Sequence, residues 1–235
     1  MLLREISDRA KVDRETRAFT VADLEVREAE DGKITFDGVA SVVDTPYKVR
    51  DMFGEYDETM ARGAFNRTIK QKSDVRLLVN HAGVPLARTK SKTLTLSADP
   101  HLRALAPGLD PSNPTVQEIR SALGRGDIDQ MSVGFRVKDQ DWNEDYTERT
   151  IREVELFDVS IVTYPASPTT SALIRSIDEF LDSLTDVDLE PDEIQRAVKF
   201  FTERLPQPAP VPGSGFYVSD DLRSLWAARM APVAA

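Results

Sequence analysis

Proton transfer near neutral pH can use only two imidazoles in this 235-residue sequence, those of His81 and His101. His81 lies towards the end of the apolar run VRLLVNHAG (75–83), where a strand is expected to pass into a loop. His101 lies in the charged stretch ADPHLRAL (98–105), where an exposed strand or loop residue is expected. Taken alone, His81 fits a turn residue as well as a proton acceptor, so its chemistry depends on its partners.

Ser132 is a candidate nucleophile within the segment DIDQMSVGF (127–135). Strand alternation places its side chain opposite to Met131 and Val133. A serine on a polar strand face is ordinarily a solvated residue. Gly134 lies on the same face, and its missing side chain leaves room for a ligand or another backbone to approach. The sequence has no G-x-S-x-G elbow, which disfavours an α/β-hydrolase.

Asp158 interrupts an apolar strand at residues 156–162. An ionised carboxylate left unpaired in such a strand costs several kcal/mol, so we expect it to have a partner. One alternative is an arginine. The other is an imidazole, whose tautomer the aspartate would fix.

Composition excludes several functional classes. The net charge is −10, from 30 basic and 40 acidic residues, which argues against binding a nucleic-acid backbone. The absence of cysteine excludes disulfides, a thiol nucleophile and cysteine-ligated zinc. His81, His101 and Asp99 lack the H-E-x-x-H spacing, so we expect no metal and no cofactor. No apolar stretch approaches the ~20 residues of a membrane span, and the charged N-terminus predicts a cytosolic protein.

The periodicity predicts a mainly β, α+β domain over residues 1–168. The pair Asp31-Gly32 predicts a hairpin turn between two strands. The polar residues 45–61 that follow this hairpin predict a loop. Asn113, Pro114 and Gly124 mark the start and stop of a helix. Strands are predicted at 19–30, 33–44, 75–81, 85–99, 131–139 and 147–164, and helices at 62–71 and 114–123. Because many short strands need their edges covered, we expect a closed or nearly closed antiparallel β-barrel with peripheral helices.

Beyond the barrel domain, residues 169–205 show helical periodicity and predict an appendage of two amphipathic helices. The segment PQPAPVPGSG (206–215) is a proline-rich linker. Together with the residues that follow it, this linker predicts a flexible tail over 206–235.

Five segments in this order resemble the prohead (procapsid maturation) proteases of tailed bacteriophages, distant relatives of the herpesvirus assemblin serine proteases. Together they cover roughly residues 17–175. The segments are FDGVASVVDTPY (36–47), RGAF (62–65), LLVNHAGVPLARTKS (77–91), MSVGF (131–135) and LFDVSIVTYPASP (156–168).

The resemblance implies a β-barrel of herpesvirus-protease type with Ser132 as nucleophile, His81 as general base and Asp158 as the acid. Assemblins use a second histidine as the third member, which makes His101 the alternative to Asp158. The phage pattern favours Asp158. Candidate oxyanion donors are the backbone amides after Ser132 or the side chains of Arg88 and Arg136.

The resemblance also implies a serine endopeptidase that cleaves scaffold, or the scaffolding segment of the major capsid protein, during procapsid maturation. Self-cleavage is expected, and the helical appendage could mediate oligomer or capsid contacts. Such a protease acts inside the immature procapsid in the host bacterial cytoplasm, with no nucleic-acid or membrane partner. The alternatives are a non-catalytic assembly or scaffolding protein that retains the fold and, third, a metal-dependent hydrolase.

Overall fold

The computed structural model describes residues 14–20, 24–28, 32–51 and 54–163, and residues 190, 191, 193–196 and 199. The chain divides into two compact units, residues 1–188 and 189–235. The described part of the first unit contains short strands and two helices. These are β1 (Glu15–Thr20), β2 (Leu24–Glu28), β3 (Ile34–Ser41), β4 (Tyr47–Asp51), β5 (Gly54–Met60), α1 (Asn66–Lys70), β6 (Arg76–Val79), β7 (Ala82–Arg88), β8 (Thr95–Ala98), β9 (Leu102–Leu109), α2 (Pro114–Arg125), β10 (Gln130–Trp142) and β11 (Glu148–Val162).

In the second unit, residues 191, 193–196 and 199 are helical. The Ile194 amide donates to the Glu190 carbonyl over 3.1 Å. Most of the predicted appendage (169–205) and all of the predicted linker and tail (206–235) lie outside the described residues.

The strands of the first unit form two sheets. In the larger sheet the order is β1-β10-β11-β5-β4, with β6 beside β11 and β7 beside β6; the smaller sheet has the order β2-β3-β9-β8. Strand β11 has two neighbours in succession: its residues 148–151 pair with β5 and its residues 158–161 pair with β6, both in parallel. The other pairings are antiparallel.

The predicted closed or nearly closed barrel is not confirmed, although the mainly β, α+β class is. Within the described ranges, no strand of one sheet pairs with a strand of the other. Instead the sheets share one apolar core, to which Phe36 of β3 and Met131 of β10 belong. Gly38 marks the close approach, since a Cβ there would lie 3.0 Å from the Met131 sulfur. Charged side chains such as Lys48 occupy edge strand β4, an alternative to closure for protecting an edge.

Several local predictions need correction. The segment 19–30 divides between β1 and β2, which belong to different sheets, and 85–99 divides in the same way between β7 and β8. The predicted polar loop at 45–61 contains the hairpin of β4 and β5. The predicted β2–β3 and β10–β11 hairpins are confirmed.

Helix α2 is confirmed, but its predicted end is wrong by two residues. The Asn113 side chain accepts a hydrogen bond from the Thr115 amide, and Pro114 opens the helix as predicted. The helix continues through Gly124 and ends at Arg125, followed by Gly126 as its cap with a φ of 76°. There the Gly126 and Asp127 amides donate to carbonyls of the last turn, a Schellman arrangement that favours glycine at this position.

Candidate active site

His81 lies in the two-residue turn between β6 and β7. Val79 and Ala82 are paired across this turn, and both central residues have positive φ, 50° at Asn80 and 57° at His81. Two positive φ values characterise the type I′ hairpin turn, for which Asn-Gly is the preferred pair. His81 therefore occupies a position where glycine is favoured, and the turn projects an imidazole from the end of the strand pair.

Ser132 and Asp158 come from adjacent antiparallel strands. Ser132 on β10 pairs with Ser160 on β11, and Gly134 pairs with Asp158. These four residues therefore share one sheet face, opposite to the face of Val133. Directly before Asp158 in β11 the register shifts: Phe135 pairs with Leu156 and Gly134 with Asp158, so the pairing skips Phe157. Bulges of this kind are common beside active sites, where they redirect side chains.

The structure brings together the three residues predicted from the sequence. His81 Nδ1 lies 2.6 Å from Asp158 Oδ1, and His81 Nε2 lies 2.7 Å from Ser132 Oγ. Ser132 and Asp158 are both 2% exposed. The imidazole thus bridges a buried hydroxyl and a buried carboxylate.

The proton positions follow from the chemistry of the partners. A carboxylate can only accept, so the proton of the neutral imidazole is on Nδ1, where it donates to Asp158. The ring's Nε2 is then free to accept from the Ser132 hydroxyl. In this arrangement a serine can transfer its proton to histidine as the oxygen attacks an electrophile.

Asp158 has further partners besides His81. The Ser160 hydroxyl donates to Oδ1 over 2.8 Å, and Arg14 donates to Oδ2 over 2.5 Å. The sequence left open whether this acid pairs with an arginine or an imidazole, and in the structure it pairs with both. Burial raises the pKa of Asp158, but the hydrogen bonds from His81 and Ser160 and the charge of Arg14 outweigh burial, so the pKa is lowered.

Gly134 provides the space that the carboxylate occupies. A Cβ at this position would lie 2.3 Å from Asp158 Oδ2 and 3.1 Å from the Arg14 guanidinium. The sequence indicated that this glycine leaves room beside Ser132 for a ligand or a backbone. The structure places the side chain of Asp158 in that room.

The other residues singled out from the sequence have different partners. The His101 Nδ1 atom accepts a hydrogen bond from the Val43 amide over 3.2 Å. Because both ring nitrogens of His81 already contact Asp158 and Ser132, no His81 nitrogen remains for a second histidine. The two candidate oxyanion arginines are also engaged. Arg88 pairs with Asp74, while Arg136 lies over the ring of Phe157 and 3.7 Å from Glu155.

The part of the chain that the structure describes contains no cluster of three or more His, Asp or Glu side chains placed to hold a metal ion. In that same part, no helix has the length and apolar character to cross a membrane.

The family suggested by the sequence motifs is supported by a match to a family model. Among solved structures, the chain is similar to the bacteriophage T4 capsid assembly protease gp21, with 9% identity and a TM-score of 0.40, over 65% of this chain and 98% of that one. No curated protein matches. A family model described as caudovirus prohead serine protease matches residues 22–183, more than half of the sequence. The chain therefore belongs to the caudovirus prohead serine protease family.

Proposed function

We propose that this protein is a serine endopeptidase of phage procapsid maturation, with Ser132 as nucleophile, His81 as general base and Asp158 as the acid. The observation that carries the assignment is the continuous path of hydrogen bonds from Ser132 through His81 to Asp158, 2.7 and 2.6 Å long. Family membership supports the reaction class.

Acylation begins as Ser132 Oγ attacks the scissile peptide carbonyl and its proton passes to His81 Nε2. The tetrahedral intermediate collapses when the imidazolium returns that proton to the leaving amine, which departs and leaves an acyl-enzyme. Water then attacks the ester and gives a proton to His81, which passes this proton to Ser132 Oγ as the acid product leaves. Each cycle breaks one peptide bond and consumes one water.

Asp158 acts through the imidazole in this mechanism. Its charge favours the imidazolium, and its hydrogen bond to Nδ1 keeps Nε2 facing Ser132. The lowered pKa keeps this carboxyl ionised throughout the range in which the imidazole can act as a base. An amide at position 158 would lose the charge and could favour the wrong tautomer, with an expected turnover loss of ~10⁴-fold by analogy with other serine triads.

The proposed substrate is the scaffold or the scaffolding segment of the major capsid protein, cleaved inside the immature shell in the host cell. The protease is also proposed to cleave itself, with the proline-rich segment 206–215 as an accessible site in sequence terms. Mass spectrometry of wild type and Ser132→Ala tests self-cleavage. A shortened wild type beside a full-length variant supports it, and an unchanged full-length mass in both refutes it.

The decisive experiment incubates the protein with its cognate immature capsid protein and follows discrete fragments. Ser132→Ala and Asp158→Asn are expected to abolish or nearly abolish cleavage, while His101→Ala and added chelator leave it intact. Loss in His101→Ala with activity retained in Asp158→Asn would transfer the acid role to His101. Cleavage that survives Ser132→Ala but not chelator would indicate a metal-dependent hydrolase, and no cleavage by folded wild type would favour a non-catalytic assembly protein.

A further inference from the structure

The turn that presents His81 has an unusual sequence for its backbone conformation. Both Asn80 and His81 have positive φ. Asparagine adopts this region more readily than most residues, and histidine does so less readily than the glycine that type I′ turns prefer. A turn of this composition has a weaker intrinsic preference for its conformation than Asn-Gly, so contacts outside the turn must help to define it.

Those contacts come from Asn80 and reach the end of β11. The Asn80 amide donates to the Ile161 carbonyl over 2.9 Å. Its side-chain Oδ1 accepts from the Thr163 amide at 3.0 Å and from the Thr163 hydroxyl at 3.3 Å. The pairing of β6 with β11 ends at Val79 and Ile161. The side chain of Asn80 therefore continues the hydrogen bonding between the two segments beyond the last paired residues.

We propose that Asn80 is a positioning residue that fixes the His81 imidazole between Ser132 and Asp158. This inference rests on the proposed function of these three residues. The Asn80 bonds attach the turn to β11, the strand that contains Asp158, so His81 and its carboxylate partner move as one body. A displacement of ~1 Å in a reacting group can cost about 10²-fold in rate, so this attachment should be visible in catalysis.

Three substitutions distinguish loss of the anchor, which is the hydrogen-bond acceptor Oδ1 of Asn80, from a change in the backbone conformation of the turn. Asn80→Gly accepts positive φ but removes the side-chain acceptor. Asn80→Asp keeps an acceptor and also tolerates positive φ. Thr163→Val removes one of the two donors and leaves the turn unchanged.

A matched control is available in the turn between β10 and β11. There Asn143 Oδ1 accepts from the amides of Thr147 and Glu148 at 2.9 and 3.0 Å, the same kind of side-chain anchor. Asn143→Gly therefore removes an equivalent anchor in a turn that contains none of the three proposed catalytic residues.

The measurements are the rate at which a fluorophosphonate probe phosphonylates Ser132 with loss of fluoride, kcat and KM on the capsid protein, and Tm, all at about pH 8, where a free imidazole is a base. Asn80→Gly should be phosphonylated ~10- to 100-fold more slowly, with a matching fall in kcat and a KM within about twofold of wild type. Asn80→Asp and Asn143→Gly should stay within about 1.5-fold of wild type, and Thr163→Val should lose about threefold.

The outcomes separate this inference from the function on which it rests. If the probe labels wild type no faster than Ser132→Ala, the proposed function fails. If wild type is labelled and a folded Asn80→Gly is equally fast, only the positioning role fails. An Asn80→Asp variant as slow as Asn80→Gly also overturns the role of the acceptor. If Asn80→Gly does not fold, Thr163→Val decides: an unchanged rate in that variant overturns the inference, and a reduced rate with wild-type Tm supports it.

Discussion

Replacing Gly134 with alanine is expected to disable catalysis by displacing the carboxylate of Asp158. The added Cβ would lie 2.3 Å from Oδ2 and 3.1 Å from Cγ of that residue. Ordinary contact begins near 3.4 Å, so Oδ2 must withdraw by about 1.1 Å. The same carboxyl group holds His81 through a 2.6 Å hydrogen bond, so this withdrawal would disturb the imidazole.

The size of the effect lies between two limits. Misplacing a catalytic group by ~1 Å costs about 10²-fold, and loss of the acid from a serine triad costs about 10⁴-fold. We therefore expect kcat/KM of Gly134→Ala to fall between these values, equivalent to roughly 3–5 kcal/mol of transition-state stabilisation. Crowding in this buried strand should also lower the free energy of unfolding by about 1–3 kcal/mol.

The assay measures capsid-protein cleavage and fluorophosphonate labelling of Ser132, with folding checked by circular dichroism. Gly124→Ala is the matched control, since a Cβ there meets nothing within 4 Å and alanine should stabilise helix α2 by about 0.5–1 kcal/mol. In an Asp158→Ala background, Gly134→Ala should lose most of its destabilising effect, because the clashing group is gone. Wild-type turnover in Gly134→Ala, alongside an inactive Asp158→Asn, would refute this account of the site.

Two further predictions concern charge. Arg14→Gln removes the cation that lies 2.5 Å from Asp158. The charge of the carboxylate then acts more strongly on the His81 imidazolium, so the acid limb of the kcat/KM profile should move upward by roughly half a pH unit. An acid limb that does not move would contradict this electrostatic role of Arg14. Burial raises the pKa of Glu15, but the charges of Arg17 and Arg149 lower it to about 2. Its stabilising effect is therefore complete above about pH 4.5 and is lost as pH falls towards 2. Urea unfolding should show that Glu15→Gln is less stable at pH 7 and less sensitive to acid, whereas an unchanged pH dependence would argue against the ion pairs.

The sequence identified the three residues that meet in the candidate site, but it did not indicate how they are held. The resemblance of the ordered motifs to a known family selected them, because each residue taken alone also had an ordinary structural explanation. Arg14 could not be selected, since it contacts Asp158 across a separation of 144 residues and has no local pattern. The importance of Asn80 was hidden for another reason: its partner Thr163 becomes a neighbour only when β6 and β11 pair.

The errors in the fold prediction have a common physical origin. Alternation shows that one face of a strand is buried, but it does not specify the neighbouring strand, and this is why a barrel was expected where two sheets occur. The sequence predicts a loop where the β4–β5 hairpin lies, because the apolar residues of β4 are separated by charged ones such as Lys48 and Arg50. That alternation is itself the pattern of a half-buried edge strand, so the signal was present but outweighed by polarity.

Strand β1 links the stability of the core to the geometry of the site. Its Arg17 binds Glu58 through a 2.5 Å ion pair, and its Glu15 binds Arg149 at 2.8 Å, within a buried cluster of alternating charges. Removing one member of such a cluster is costly, about 3–5 kcal/mol, because an opposite charge is left buried. Arg14, which directly precedes β1, contacts Asp158. Loosening β1 should therefore both destabilise the fold and free the acid from its cation, so substitutions in the charge cluster should alter the pH profile of cleavage as well as Tm.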